Sequence, residues 1–457
     1  MNTLNIINEE KINNILEDAK TVSKQEVLDI IEKSKDCFGL TSTEAAALLQ
    51  VDDEEILNKM FETAKYIKEK IYGNRIVMFA PLYTSNECTN NCLYCGFRVN
   101  NKELHRRTLC PSEVVEEASA IEKQGHKRIL LVCGEDKRVT HIDHIVDSVQ
   151  AIYDNVDIRR INVNCAPLEV EDFKKLKDVG IGTYQIFQET YHRPTYKKMH
   201  VSGSKTDYDY RLTAIERAFE AGIDDVGIGP LLGLYDYKFD VLATLIHAEY
   251  LDNKYNVGPH TISVPRLRPA IGSAIEEIPY PISDTDFKKI VTIYRLAVPY
   301  TGIIMSTRES AELRDELLEL GVSQMSAGSK TNPGGYEEDD NDAKQFVGND
   351  ERGLDEILRV VCKQGHLPSF CTACYRNHRT GEAFMELAKD AHIHEFCQPN
   401  AILTFKENLV NVASDETKKM GEELLKREIE KIEGEKVKAE TLKRLERIEA
   451  GEKDLYF

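Results

Sequence analysis

The chain has 457 residues, with 59 lysines and arginines against 78 aspartates and glutamates, a formal charge of −19 at neutral pH. That length suits one large α/β domain with additions at its ends, and the acidic balance opposes contact with a phosphate backbone, which excludes nucleic acid as a partner. No run of about 18 apolar residues occurs and the start, MNTLNIINEEKINNILEDA, has neither a basic nor an apolar signal region, so a soluble, cytoplasmic protein with no membrane partner is expected.

Residues 1–75 predict a helical extension. Segments such as SKQEVLDIIEKS and DEEILNKMFETAKYIKEKIYG repeat apolar positions at three and four, and several open on Ser, Thr or Asp caps. Residues 76–330 alternate β-rich runs with helical stretches. The runs are RIVMFAPLYTS (75–85), RILLVCGE (128–135), RRINVNCAPL (159–168), TYQIFQETY (183–191), DDVGIGPLLG (224–233), HTISVPRLRPA (260–270), TGIIMSTRE (301–309) and GVSQMSAGS (321–329). Eight β units with helical crossovers predict an α/β fold, a (β/α)8 barrel of TIM type. Residues 331–413 form a loop and cysteine-bearing segment, and the acidic, glycine-bearing stretch 331–350 is expected to leave the barrel as a long loop. Residues 414–457, rich in Glu, Lys, Arg and Leu, predict a solvated, charge-laced helical tail.

Eleven cysteines in a chain without an export signal are expected to be reduced, so their spacing points to metal or redox chemistry. Cys37, Cys110, Cys133, Cys165 and Cys362 are scattered and predicted to be small buried apolar residues. The other six form two trios. Cys88, Cys92 and Cys95, in CTNNCLYCGF, directly follow the first predicted strand. Three thiolates this close can wrap one face of a cubane cluster and leave its fourth iron open. Zinc is the alternative, but structural zinc is closed by four ligands and the nearest imidazole, His105, lies well past Cys95.

The spacing C-x3-C-x2-C, with Tyr94 before the last cysteine, resembles the signature of the radical S-adenosylmethionine (SAM) superfamily. The resemblance implies a 4Fe-4S cluster whose open iron chelates SAM and whose electron breaks a carbon–sulfur bond to give a 5'-deoxyadenosyl radical. It further implies that Gly134 and Glu135, ending the second strand, receive the SAM ammonium. Gln185 and Glu189 are candidates for its ribose or methionine part, and Gly227 and Gly229 for close backbone approach to adenine; each also reads as a packed turn or a solvated polar residue. Arg308 in MSTRES, with Ser306 beside it, is the cation best placed to grip a substrate carboxylate in a bidentate fork. The competing role for Arg308 is a salt bridge to Glu309 or Glu312.

Cys371, Cys374 and Cys397 make the second trio, C-x2-C-x22-C. Spacing alone leaves zinc and an iron-sulfur cluster level, because His378, His392 and His394 lie close enough in sequence to supply a fourth zinc ligand. The segments CTNNCLYCGFRVN, QETYH, GPHTISVPRLRPA, MSTRES and CTACYRNHRTGEAFM, with Cys397 beyond, resemble the HydG family, radical SAM tyrosine lyases that mature FeFe-hydrogenase. That resemblance spans residues 75–400. It implies a second 4Fe-4S cluster on the C-terminal trio, linked to an additional labile iron for which His260 is a ligand. His260 opens the sixth strand, so a parallel barrel puts it at the bottom rim, opposite the mouth. The family's chemistry implies cleavage of L-tyrosine to p-cresol and dehydroglycine, and breakdown of dehydroglycine to carbon monoxide and cyanide. These are captured as a cysteine-bound Fe(CO)2(CN) synthon. An electron-donor protein and hydrogenase maturation proteins are the implied partners. The alternatives are a tyrosine lyase that stops at dehydroglycine, as in thiazole biosynthesis, and a zinc-stabilised barrel acting as a scaffold.

Overall fold

The structure is a computed structural model that describes residues 6–338 and 341–457. Eight parallel strands, β1 (Arg75–Ser85), β2 (Arg128–Cys133), β3 (Arg160–Asn164), β4 (Tyr184–Gln185), β5 (Val226–Ile228), β6 (Thr261–Ser263), β7 (Gly302–Met305) and β8 (Gln324–Ser326), follow one another round a barrel. It closes because β1 pairs with both β8 and β2, in registers Val77↔Gln324 and Ala80↔Ile129. All eight lie inside the runs predicted from sequence; β1 fills its run, and the other seven are shorter. Beyond β2 to β8 the C-terminal parts of the runs leave the ladder as mouth loops, held by isolated bridges such as Glu189↔Pro230 and Leu232↔Arg266 and by backbone hydrogen bonds such as Gln188 N to Gly229 O.

A ninth strand, β9 (Leu367–Ser369), was not expected. It pairs in parallel with the first residues of β1, in register Arg75↔Leu367, at the barrel's lower end. Three residues containing Pro368 give little strand signal, and proline fits only because β9 is an edge strand. Its effect on the site is large, since it delivers Cys371 beneath the barrel.

Four capped helices precede β1. Ser23 and Thr41 make reciprocal capping boxes with Glu26 and Glu44, and Asp53 accepts from Ile56 N at the start of the helix Glu54–Tyr72. That helix buries Ile56, Met60, Ala64, Ile67 and Ile71 against the helix Asp284–Ala297 on the barrel wall. It ends at Gly73, whose φ of +65° turns the chain into β1.

Three expectations need correction. The stretch 331–350 folds back over the mouth: Tyr336 donates to Pro81 O, Tyr83 donates to Gln345 Oε1, and Gly96 N donates to Gln345 O. Its glycines and aromatics let a polar loop pack; residues 339–340 lie outside the described part. The charged tail is two packed helices, Asp415–Glu430 and Glu435–Glu449, both lying on the helix Ile393–Asn411. Leu424, Leu425, Leu445 and Ile448 form its buried stripe, each worth about 1.5–3 kcal/mol, which outweighs the solvation favoured by the surrounding charges. Beyond these helices, Asp454 pairs with Arg376, and Phe457 O accepts from Asn377 and Arg379, so the tail braces the Cys371–Cys374 loop. Finally, Cys110 is exposed while Cys37, Cys133, Cys165 and Cys362 are buried as expected; Cys110 is the N-cap of the helix Pro111–Lys123, a position at the helix rim.

Candidate functional site

Two cavities occupy opposite ends of the barrel. Along β1 the inward residues divide between them: Arg75 and Val77 face the lower one, Phe79, Pro81 and Tyr83 the upper. This is the period of two expected of a strand.

The upper cavity, about 200 Å3, is lined by Cys88, Cys92, Cys95, Tyr94, Gly134, Glu135, Gln185, Glu189, Ser306 and Arg308, so the structure brings together residues from β1 to β7. The cysteine loop is tied down by its backbone. Thr89 N donates to Glu135 O, Leu93 N to Met199 O and Asn91 N to Ser202 O, while Arg106 clamps the carbonyls of Asn86, Phe97 and Arg98. Tyr94 OH lies 2.9 Å from His200 Nε2. Gly134 passes so close to the loop that an added Cβ would sit 2.1 Å from Glu87 O. Burial pushes all three thiols up, Cys95 to about 11.

Glu135 and Glu189 share one cation. Arg211 Nη1 is 3.0 Å from Glu135 and Nη2 is 3.8 Å from Glu189; Lys205 adds a 2.5 Å contact to Glu189 and Asn90 a 2.7 Å hydrogen bond to Glu135. Burial alone would raise both carboxyls, but Arg211 and Lys205 bring them below their ordinary range. Glu189 sits at φ +71°, a left-handed conformation uncommon for glutamate, and its carbonyl accepts from Leu231 N at 2.7 Å. Gln185 Oε1 is buried and, among the described residues, has no hydrogen-bond partner.

Arg308 is half-buried, with its guanidinium 3.4 Å from the ring centroid of Phe346. The salt bridge weighed against it does not form: Glu309 is held by Arg266 and Arg268. Gly227 and Gly229 do not line the cavity. A Cβ on Gly227 would meet Thr261 Oγ1 at 2.5 Å and Gln185 Cγ at 2.8 Å, and one on Gly229 would meet Ser263 O at 2.4 Å, so both are set by close packing between strands. Sequence reasoning missed Asn90, Lys205, Arg211 and Phe346. Lys205 and Arg211 lie after β4 in a segment that carries no motif, and Phe346 lies in the loop expected to depart.

The lower cavity, about 40 Å3, is lined by His260, Cys371, Cys374 and Cys397 together with Arg75, Arg128 and Tyr375. Cys371 follows β9, Cys374 lies in the short helix Ala373–Arg376, and Cys397 lies in the first turns of the helix Ile393–Asn411. Arg128 Nη2 donates to Cys371 O at 3.0 Å, and Arg128 and Arg160 lie over the Tyr375 ring. A hydrogen bond from the Cys374 thiol, with Arg75 and Arg379 nearby, brings Cys397 down to about 7; Cys374 itself is pushed well up by the same bond and by burial. His260 lies directly before β6, and burial pulls its imidazole below its ordinary range. Of the histidines considered for zinc, His378, His392 and His394 do not line this cavity, and His392 pairs with Glu395. Among the described residues, no three His, Cys, Asp or Glu side chains close on a single-ion position.

Comparison with known proteins agrees with this arrangement. Residues 82–246 match the Radical SAM superfamily, and residues 263–367 match the Biotin and Thiamin Synthesis associated domain. The chain is 56% identical to a crystal structure of HydG, a maturase of the [FeFe]-hydrogenase, with a TM-score of 0.96 over 99% of this chain and 100% of that one. It is 45% identical to the FeFe-hydrogenase maturase HydG from Carboxydothermus hydrogenoformans, with a TM-score of 0.85 over 96% and 97% of the two chains. It is also 33% identical over 342 residues to the 2-iminoacetate synthase of Escherichia coli (strain K12), covering 74% of this chain and 89% of that one.

Proposed function

The chain belongs to the radical SAM superfamily and, within it, to the HydG maturases, and from that premise we propose that it cleaves L-tyrosine at the upper cavity and assembles an Fe(CO)2(CN) synthon at the lower one. The observation that carries this reading is the second cysteine trio, gathered with His260 in its own cavity at the far end of the barrel. In a lyase that stopped at dehydroglycine, such a site would serve only electron transfer or structure.

The residues fit the groups the family implies. Cys88, Cys92 and Cys95 are suited to hold a 4Fe-4S cluster, and Gln185 Oε1, buried and unpartnered, offers an acceptor to a donor on SAM. When bound, cluster and SAM supply a carbon radical able to take a hydrogen atom from the tyrosine amino group. The chain's own work is positioning and exclusion. Arg308, packed on Phe346 and without a carboxylate partner among the described residues, presents two parallel N–H donors to the tyrosine carboxylate. Glu135 and Glu189, held ionised by Arg211 and Lys205, offer acceptors to cationic groups on the same wall. The mouth loop carrying Gln345 and Phe346 covers the site and keeps water from reactive species.

Cleavage between Cα and Cβ leaves dehydroglycine and a hydroxybenzyl fragment, which becomes p-cresol by taking up one electron, supplied by dithionite in the assay below, and one proton. At the lower cavity, Cys371, Cys374 and Cys397 are suited to hold the second 4Fe-4S cluster, and Arg75 and Arg128 offset its negative charge. His260 and a free cysteine would bind the labile iron that takes up carbon monoxide and cyanide from dehydroglycine. Incubation of the anaerobically loaded protein with tyrosine, SAM and dithionite is expected to give p-cresol, carbon monoxide and cyanide. p-Cresol alone would favour the second reading, a 2-iminoacetate-forming lyase, which the 33% identity to the E. coli synthase supports.

A further inference from the structure

We infer that Asp225 is the positioning carboxylate of His260, fixing the tautomer and aim of its imidazole toward the labile iron; this rests on the reading of His260 as an iron ligand. Asp225 immediately precedes β5 and His260 immediately precedes β6. The two strands pair in register Gly227↔Thr261, which sets His260 level with Val226 and Asp225 one residue further down on the same lower rim. Asp225 is only 2% exposed, and among the described residues neither of its carboxylate oxygens has a hydrogen-bond partner. The nearest recorded cation-capable group is His260 Nδ1, 3.4 Å from Oδ2.

A buried carboxylate with no partner is costly and rare. Its neighbours do not relieve it. Asp224, the adjacent acid, turns instead to the cysteine segment, where it accepts from Thr380 Oγ1 at 3.0 Å and leaves room only for a glycine at Gly381. Tyr375 OH is taken by Thr183, and Arg128 donates to Cys371 O. Arg75 lines the cavity rather than the space behind the histidine. Asp225 itself does not line the cavity, and it meets His260 from the Nδ1 side of the ring.

On its face the imidazole is held by Phe384, with ring centroids 4.2 Å apart. With the plane set by Phe384 and Nδ1–H directed at Asp225, Nε2 carries the lone pair and is the nitrogen left for metal. Metal-binding histidines commonly donate their other N–H to a carboxylate, which orients the ring and raises its basicity. A contact of 3.4 Å has room to tighten when metal binds.

The test uses the full chain with both clusters reconstituted, titrated anaerobically with Fe(II) and read as bound iron beyond the two clusters. His260→Ala is expected to abolish that iron. Asp225→Ala is expected to weaken it roughly 10- to 100-fold, Asp225→Asn by less, and the double variant no further than His260→Ala alone. Sulfide content and melting temperature report whether each variant is folded and loaded, and Asp225→Asn, nearly isosteric, keeps the test alive if the alanine variant misfolds. Wild-type Fe(II) affinity in both Asp225 variants, alongside loss in His260→Ala, would overturn the inference while leaving the iron-ligand reading intact. Wild-type affinity in His260→Ala would overturn the reading on which it rests.

Discussion

Replacing Arg308 tests the upper site most sharply, because its guanidinium has no ion-pair partner within the described chain and its loss falls on the ligand. It rests on Phe346 at 3.4 Å, and the neighbouring Glu309 is already satisfied by Arg266 and Arg268. A hydrogen bond to a charged group contributes about 1.5–3 kcal/mol. A bidentate pair partly replaced by water therefore costs about 3–4 kcal/mol, or about 10²- to 10³-fold in kcat/KM. Arg308→Ala should show that loss in p-cresol formation under saturating SAM and dithionite. Arg308→Lys, which keeps the charge and loses the fork, should fall between it and wild type. Phe346→Leu removes a cation–π contact of about 0.5–1 kcal/mol and should cost only about two- to fivefold. Melting temperatures should change little in all three. If Arg308→Ala keeps kcat/KM within about twofold, as no carboxylate-gripping residue can, the assignment is wrong.

Other predictions follow from the same geometry. A Cys371→Ala, Cys374→Ala variant should form p-cresol at near wild-type rate and release no carbon monoxide, with iron content falling by about half; loss of both products together would mean the two ends are not separate. Arg211→Ala leaves Glu135 and Glu189 buried without their shared cation and should destabilise the chain by about 3–5 kcal/mol, read by denaturant titration; Arg211→Lys should recover part. Burial pushes the Asp240 carboxyl up to about 7 against hydrogen bonds from Tyr191 N and Thr190. With its folded value above the unfolded value of about 3.9, the folded chain binds a proton that the unfolded chain has lost. The stability this gives is full below about pH 4 and disappears as pH rises through 7. Asp240→Asn should therefore gain melting temperature relative to wild type between pH 5 and pH 8; a difference constant with pH would refute the assignment.

Much of this arrangement is legible in the sequence because its signals are local. The β-rich runs, the caps on Ser23, Thr41 and Asp53 and the close-set Cys88, Cys92 and Cys95 each depend on residues a few positions apart. The placing of His260 at the lower rim needs one more step, the polarity of a parallel strand. What escaped was set by contacts distant in sequence. Arg211 reaches Glu135 across 76 positions, and Lys205 meets Glu189 from beyond the short helix Arg193–Met199, in a segment that carries no motif. The 331–350 stretch has the composition of a departing loop, yet Tyr336 and Gln345 find partners on β1. The tail's heavy charge conceals a narrow leucine stripe, which counts only when the helix Ile393–Asn411 is there to receive it. β9 is too short to announce itself and is made by its pairing with Arg75–Val77.

The central claim, that two iron-sulfur centres stand at opposite ends of one barrel, is tested most directly by anomalous diffraction at the iron edge from anaerobically grown crystals of the loaded protein. The account predicts two separate iron peaks, one against Cys88, Cys92 and Cys95 and one against Cys371, Cys374 and Cys397, with His260 facing the second. A single iron peak, or a zinc-edge signal at the lower trio, would contradict it.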